Sequence, residues 1–245
     1  MKRLIDIIFS LIGLLIAAPF LIVMMTLVWF QDFRSPLYIA DRVGLSGSVF
    51  RMIKLRSMIV NADKSGVDST GSSDSRITPI GALIRRFKLD EIMQLCNVLK
   101  GDMSLVGPRP NVKRETDLYT DDEKLLLTVK PGITDFSSII FSDEGEILRD
   151  KEDPDIAYHQ LIRPWKSRLG IFYVGKANIL LDFKLIVLTV YSIIFRQAAL
   201  RRLSQMMNRL GADEELCAIA LRDRELVPTP PPGSTKIVTT RDGSV

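Results

Sequence analysis

Few of the side chains that usually announce an enzyme are present in this 245-residue chain. There is one histidine, His159, and there are two cysteines, Cys96 and Cys217. They form no CxxC or Cys/His spacing, which excludes the common zinc modules. The thiols read as buried or incidental in a reducing compartment. A single histidine argues against a Ser/His or Cys/His nucleophile system, so nucleophilic and acid–base chemistry falls to carboxylates, lysine or tyrosine. GxGxxG, Walker A, HExxH, GxSxG and EF-hand patterns are all missing, which argues against the common nucleotide folds and hydrolases. Aromatic residues make up 7% of the chain and do not interleave with a basic stripe, so nucleic acid is not an expected partner.

What is there is a globular composition, 47% hydrophobic and 25% charged. The length suits one large or two small domains. Charge is uneven. Residues 1–60 carry Lys2, Arg3, Arg34, Arg42, Arg51, Lys54 and Arg56 against Asp6, Asp32 and Asp41, an excess equal to the +4 of the whole chain. Inside that basic region, residues 7–31 hold no charge at all.

That apolar run is long enough to enter a bilayer, which takes about 20 residues. It is too long for a usual signal-peptide core, and no small-x-small cleavage site follows. Basic residues flank it on both sides, and the positive-inside rule places both flanks in the cytoplasm. Pro19, after Ala17 and Ala18, removes one backbone bond mid-segment and predicts a kink. A kinked helix can enter and leave by one face, but proline is also tolerated in spanning helices. Pattern alone leaves re-entrant and spanning readings open.

Residues 37–60 alternate around a Gly44–Gly47 turn and predict a small β-hairpin. Residues 61–77 are polar and rich in glycine and serine, which predicts a mobile loop. Thr78–Pro79 is a helix start, and the helix runs to about Phe87. Leu89, Ile92, Met93, Cys96 and Leu99 make an apolar stripe over a second helix, 89–100, ended by Gly101. Helix is also expected over 111–129, 155–163 and 177–210, with 133–153 read as a short strand and loop. Leu185–Phe195 is uncharged but too short to span. It reads equally as an interfacial amphipathic helix or a core helix. From Pro228 the sequence PTPPPGSTKIVTTRDGSV predicts a disordered tail.

The remaining candidate for chemistry is an acid pair, Asp90–Glu91, near a helix start and preceded by Arg85, Arg86 and Lys88. Adjacent helical residues point about 100° apart, so the two carboxylates cannot share one proton. They can divide labour, one attacking and one holding a metal, with Mg2+ the natural ion beside substrate phosphates. Arginine and lysine nearby would serve phosphate. The plain alternative is a pair of acids complementing a helix dipole on a solvated face.

The stretch RRFKLDEIMQLCNVLKGDMSLVGPRP (85–110), with IKLRSM (53–58) before it and VKPGIT (129–134) after it, closely resembles the bacterial sugar transferase family. These are monotopic polyprenyl-phosphate phosphoglycosyl transferases, and the likeness covers most of residues 1–195. The resemblance implies a mainly helical α+β protein with a re-entrant membrane helix kinked at Pro19 (1–34). A compact catalytic domain on the cytoplasmic face follows (35–203), with a small β-hairpin and interfacial amphipathic helices. A C-terminal extension (204–245) completes the chain. It implies transfer of a phospho-sugar from a UDP-sugar to undecaprenyl phosphate, with release of UMP and with Mg2+ as cofactor. The setting would be the bacterial inner membrane, at the first membrane step of a surface polysaccharide or glycoconjugate.

By the same resemblance Asp90 is the nucleophile that forms a phosphosugar–aspartate intermediate, and Glu91 is the Mg2+ ligand. Lys54 and Arg109 serve phosphate charge, with Arg86 a further candidate four residues before Asp90, and Asp182 takes a polar or metal-side role. A carboxylate nucleophile needs no histidine, and covalent catalysis divides the transfer into two displacements. Two departures stand out. Lys88 replaces the Ser or Thr that usually precedes LDE, removing an N-cap. After KPGIT the chain reads DFSSIIFSDEGEIL where Gly-Leu/Trp-x-Gln-Val-x-Gly-Arg is usual, so sugar identity does not carry over. The rival from another class is a non-catalytic membrane scaffold in a glycan assembly complex. A homodimer is carried only by analogy with membrane enzymes at large.

Overall fold

A computed structural model of the chain describes residues 1–62, 71 and 74–241, so most of the loop expected at 61–77 lies outside the described residues, as do residues 242–245. Mainly helical structure dominates. The first element is one long helix, α1 (Lys2–Asp32), which contains Pro19 and is closed by Phe33 in the left-handed conformation (φ 54°). At about 1.5 Å per residue it is about 46 Å long. One stripe of it, Asp6, Ser10, Leu21 and Val28, is buried against the rest of the protein, while Leu15, Ile16, Phe20 and Ile22 are more than 60% exposed.

Both ends of α1 are fastened to the same body. Near its start, Arg3 donates to the carbonyls of Val98 and Leu99. Asp6 accepts from Ser104 Oγ and from the Leu105 amide. Near its end, Arg56 holds Asp32 at 2.6 Å, and Val28 packs with Leu55 and Ile84.

The hairpin expected over 37–60 forms from β1 (Leu37–Val43) and β2 (Val49–Leu55), antiparallel with Tyr38 opposite Lys54. Helix α2 (Pro79–Arg86) starts as expected, with Thr78 Oγ1 accepting from the Gly81 amide at 2.9 Å. A Cβ at Gly81 would lie 1.8 Å from the Ser57 carbonyl oxygen, so only glycine lets α2 approach the end of β2 this closely. The helix expected over 89–100 divides: a short 3-10 turn covers Leu89–Glu91, and α3 covers Gln94–Lys100. Buried Asn97 on α3 clamps β2, accepting from the Ile53 amide at 2.9 Å and donating to the Arg51 carbonyl at 2.7 Å.

A second, parallel pair that the sequence reading missed joins β3 (Ser104–Val106) to β4 (Gly132–Thr134). Between these strands, 111–129 is only partly helical, with α4 (Lys113–Thr116) and a 3-10 turn at Glu123–Thr128. After β4 come α5 (Phe136–Ile140), α6 (Glu144–Ile147), α7 (Pro154–Leu161), α8 (Arg163–Lys176), α9 (Ile179–Ile194), α10 (Arg196–Arg209) and α11 (Glu214–Leu221). The helix expected over 177–210 is thus broken at Phe195.

The main core takes residues from the hairpin, β3 and α5 through α11. Leu200, Leu203, Met207 and Leu216 are in it alongside Trp165 and Leu169, so the core continues through α10 into α11, across the expected 203/204 boundary. Behind the core, Arg163 makes a buried two-pronged pair with Glu123, at 2.8 and 3.1 Å, and Ser167 donates to the same carboxylate at 2.6 Å.

The tail expected to be disordered from Pro228 has a fixed path as far as Arg241. The Thr229 amide donates to the Gln160 carbonyl at 3.0 Å. Thr120 Oγ1 donates to Pro232 O, Arg168 to Pro230 O, and Gln160 Nε2 to Val238 O. The prolines cost little order to fix, since their φ is already set, and Val238 is 1% exposed. A polar, proline-rich composition hid one apolar anchor and a row of backbone partners.

Candidate active site

Four of the residues singled out in the sequence meet in one place. Lys54 lies near the end of β2, and its Nζ is 3.6 Å from Asp90 Oδ2 and 3.7 Å from Glu91 Oε1. Arg109, in the Gly-Pro-Arg-Pro loop after β3, donates from Nη2 to Glu91 Oε1 at 2.6 Å. None of these side chains is more than 35% exposed.

Local features set that geometry. Asn97 fixes β2 and therefore Lys54. Lys88, the residue replacing the usual hydroxyl cap, sits at φ 53° and caps nothing with its side chain. The left-handed step there breaks what would be a helix through 79–100. In an unbroken helix Leu89 would sit about 140° around from Ile84; the break lets both join Val28, Leu55 and Met93 in one small cluster. The Arg109 loop is placed by the tight crossing of β3 and β4. A Cβ on Gly132 would come within 2.0 Å of the Gly107 amide nitrogen, so the two backbones meet where no side chain fits.

The electrostatics divide the two acids. Burial pushes Asp90 up from the usual carboxylate range; Lys54 offsets part of this, and the neighbouring Glu91 adds a smaller push upward. Burial would push Glu91 up as well, but Arg109, then Lys54 and Lys88, hold it well below that range. Lys54 and Lys88 are pushed below the usual lysine range, chiefly by burial. Arg109 is raised further by Glu91. The result is a Glu91 that gives up its proton more readily than an ordinary carboxyl beside a more basic Asp90, ringed by cations.

Arg86 does not join this group. The break at Lys88 removes the helical face it was expected to share with Asp90, and its guanidinium instead stacks 5.7 Å from the Phe87 ring centre. Arg85 is the arginine of that pair whose charge reaches Asp90. Asp182 is placed elsewhere too. Tyr173 Oη of α8 donates to its Oδ1 at 2.6 Å and Lys2 Nζ to its Oδ2, so one oxygen holds α8 and the other the start of α1. The sequence reading could not pair residues 180 positions apart.

The structure adds residues that the sequence did not single out. Arg42, on β1, is near enough to Arg109 for the two charges to oppose each other. On the other side Lys166 of α8 donates to Glu144 of α6, and Glu144 feels both Arg109 and Lys88. Glu144 belongs to the DFSSIIFSDEGEIL segment that departs from the resemblance.

Among the described residues no group of three or more His, Cys, Asp and Glu side chains gathers as a metal cage. The two carboxylates present still suit Mg2+, which takes one or two of them together with substrate phosphate. Among the described residues Glu91 Oε2 and Asp90 Oδ1 carry no protein hydrogen bond, whereas Oε1 of Glu91 is already held by Arg109.

Comparison with known proteins gives this geometry a context. The model of a family described as bacterial sugar transferase matches residues 1–196. A Bacillus subtilis protein, provisionally named an undecaprenyl-phosphate N-acetylgalactosaminyl 1-phosphate transferase, is 49% identical over 121 residues, 49% of this chain and 68% of the relative. The undecaprenyl-phosphate galactose phosphotransferase of Salmonella typhimurium is 40% identical over 152 residues, 55% of this chain and 31% of that protein. A UDP-glucose:undecaprenyl-phosphate glucose-1-phosphate transferase of Caulobacter vibrioides is 31% identical over 173 residues, 68% of this chain and 65% of the relative. The three names share the lipid acceptor and differ in the sugar.

Proposed function

The chain belongs to the bacterial sugar transferase family, and from that membership we propose that it moves a sugar phosphate from a UDP-sugar to undecaprenyl phosphate, releasing UMP. The observation that carries this is the meeting of Asp90 and Glu91 with Lys54 and Arg109. Asp90 is the nucleophile. Its carboxylate attacks the sugar-linked phosphorus, the bond from that phosphorus to the bridging oxygen breaks, and UMP leaves. An oxygen of the acceptor phosphate then attacks the same phosphorus, and the Asp90 carboxylate departs. Two displacements replace one, and no proton need be removed by a base.

The surrounding charges suit both steps. The raised affinity of Asp90 for a proton makes it the better nucleophile of the pair once ionised. Lys54 and Arg109 face the oxygens on which charge builds. Mg2+, held by Glu91 and the donor phosphates, would neutralise phosphoryl charge.

The placement of α1 supports a one-sided membrane anchor. A helix fastened at both ends to one body, buried along one stripe and apolar along the other, suits entry and exit by the same face of the bilayer. Its basic flanks favour the cytoplasmic face under the positive-inside rule.

The test is intact mass of the purified protein after incubation with Mg2+ and a panel of UDP-sugars, without acceptor. An increase of one phosphosugar with one donor, lost in Asp90→Asn, is expected. UMP release only when polyprenyl phosphate is present, with no adduct, would replace the covalent route by direct transfer.

A further inference from the structure

A groove of about 380 Å³ runs between α9 and α10. Its floor is apolar, formed by Val187 and Leu188 of α9 and by Met206 and Leu210 at the end of α10. Its rim is basic, with Lys184, Arg202 and Arg209 exposed along it. None of the three forms an ion pair among the described residues. The Arg202 guanidinium instead lies 4.6 Å from the Tyr191 ring centre. Helix α10 as a whole carries four arginines and no carboxylate.

Helix α9 presents a second feature at the same place. Leu180, Phe183, Val187, Val190 and Ile194 follow one another at three- and four-residue spacing, and each is half exposed or more. Leu181, Asp182 and Leu185 on the other face are buried. The helix begins at the foot of α1, because Asp182 in its first turn is held by Lys2. An apolar helix face beside a membrane anchor, with a cationic groove opening from it, has the chemistry of a lipid site.

We propose that the α9–α10 groove binds one anionic phospholipid, with an acyl chain along the Val187–Met206 floor and the phosphate between Lys184, Arg202 and Arg209. The charge decides the occupant. An apolar protein helix would bring no anion to the three exposed cations, and a zwitterionic lipid brings a phosphate already balanced by its own cation, so a lipid of net negative charge matches the rim best. One wall, α9, lies within the region matched by the family and the other, α10, begins where that match ends. The site therefore depends on the C-terminal extension and gives it a role. It rests on the membrane placement of α1 and not on the transfer reaction, and its test reads lipid binding alone.

The full-length protein in dodecyl maltoside micelles is titrated with phosphatidylglycerol while its thermal midpoint is followed. Ligand bound only by the folded state raises that midpoint. A rise of several degrees is expected with phosphatidylglycerol and none with phosphatidylcholine. In a Lys184→Gln, Arg202→Gln, Arg209→Gln variant the rise should vanish, with the lipid-free midpoint unchanged because all three side chains are exposed. Val187→Trp, which fills the floor, should also abolish it. An equal rise with phosphatidylcholine, or a rise kept by the triple variant, overturns the proposal. So does a rise reproduced by inorganic phosphate alone, which would make the groove a simple anion site. Displacement of phosphatidylglycerol by undecaprenyl phosphate would hand the groove to the acceptor, and a dimer dissociated by the same variants would hand it to a second copy.

Discussion

Arg109 donates to Glu91 Oε1 at 2.6 Å and leaves Asp90, one residue earlier, to Lys54 at 3.6 Å. The adjacent acids thus have unequal partners. Glu91 gets the close hydrogen-bonded cation and stays ionised; Asp90 gets the distant one and holds its proton more tightly.

The acidic limb of the pH profile should report this. The proposed transfer needs Asp90 ionised, and burial raises its proton affinity, so kcat/KM should fall off at a pH above the usual carboxylate range. Lys54 works against that rise. Lys54→Met should therefore move the acidic limb to still higher pH, measured by initial rates of UMP release across a pH series. A limb that stays put would take Lys54 out of contact with the nucleophile.

Arg109→Met should lower turnover by about a hundredfold, the scale of losing one group that faces developing charge. Glu91 would also lose the largest influence holding its proton affinity down. Arg109→Lys should recover part of the rate, since a point charge replaces the guanidinium but not its reach.

Glu144, on the segment that departs from the resemblance, pairs with Lys166 of α8 and feels the charges of Arg109 and Lys88. Glu144→Gln should change the ranking of UDP-sugars by kcat/KM while the Asp90 adduct still forms. A panel ranked as in the unaltered protein would confine Glu144 to a structural part.

Stability rests on contacts far from the cleft. Glu123→Ala strands a buried Arg163 and should cost about 3–5 kcal/mol, a drop in thermal midpoint on the order of 10 °C. Removing residues 228–245 should also lower the midpoint by several degrees while turnover persists. Fully buried Val238 alone contributes roughly 1.5–3 kcal/mol.

The parts of the structure legible in the sequence are those decided by neighbouring residues. The Thr78–Pro79 cap and the Gly44–Gly47 turn are local chemistry, and both form. The meeting of Lys54 with Asp90, Glu91 and Arg109 was legible only through a family pattern, because three separate segments supply it. What was not legible depends on distant or improbable events. No propensity places a lysine at positive φ, yet Lys88 there is what takes Arg86 away from Asp90. The partners of Asp182 come from residue 2 and residue 173, and no spacing rule joins them. The β3–β4 pair is three residues long on each side, too short to leave a period-two signal.

The two moorings of α1 carry a consequence for how the acceptor is met. At one end Arg3 ties α1 to α3 and Asp6 ties it to β3, which leads to Arg109; at the other Asp32 ties it to Arg56, just past the β2 that carries Lys54. In the proposed placement, with α1 set in the leaflet, the cleft would stand at a constant altitude above it. A lipid phosphate floating at the headgroup plane would arrive already at the working height. The protein then acts as a ruler for depth and has no need to gauge how long the hydrocarbon tail beneath it is.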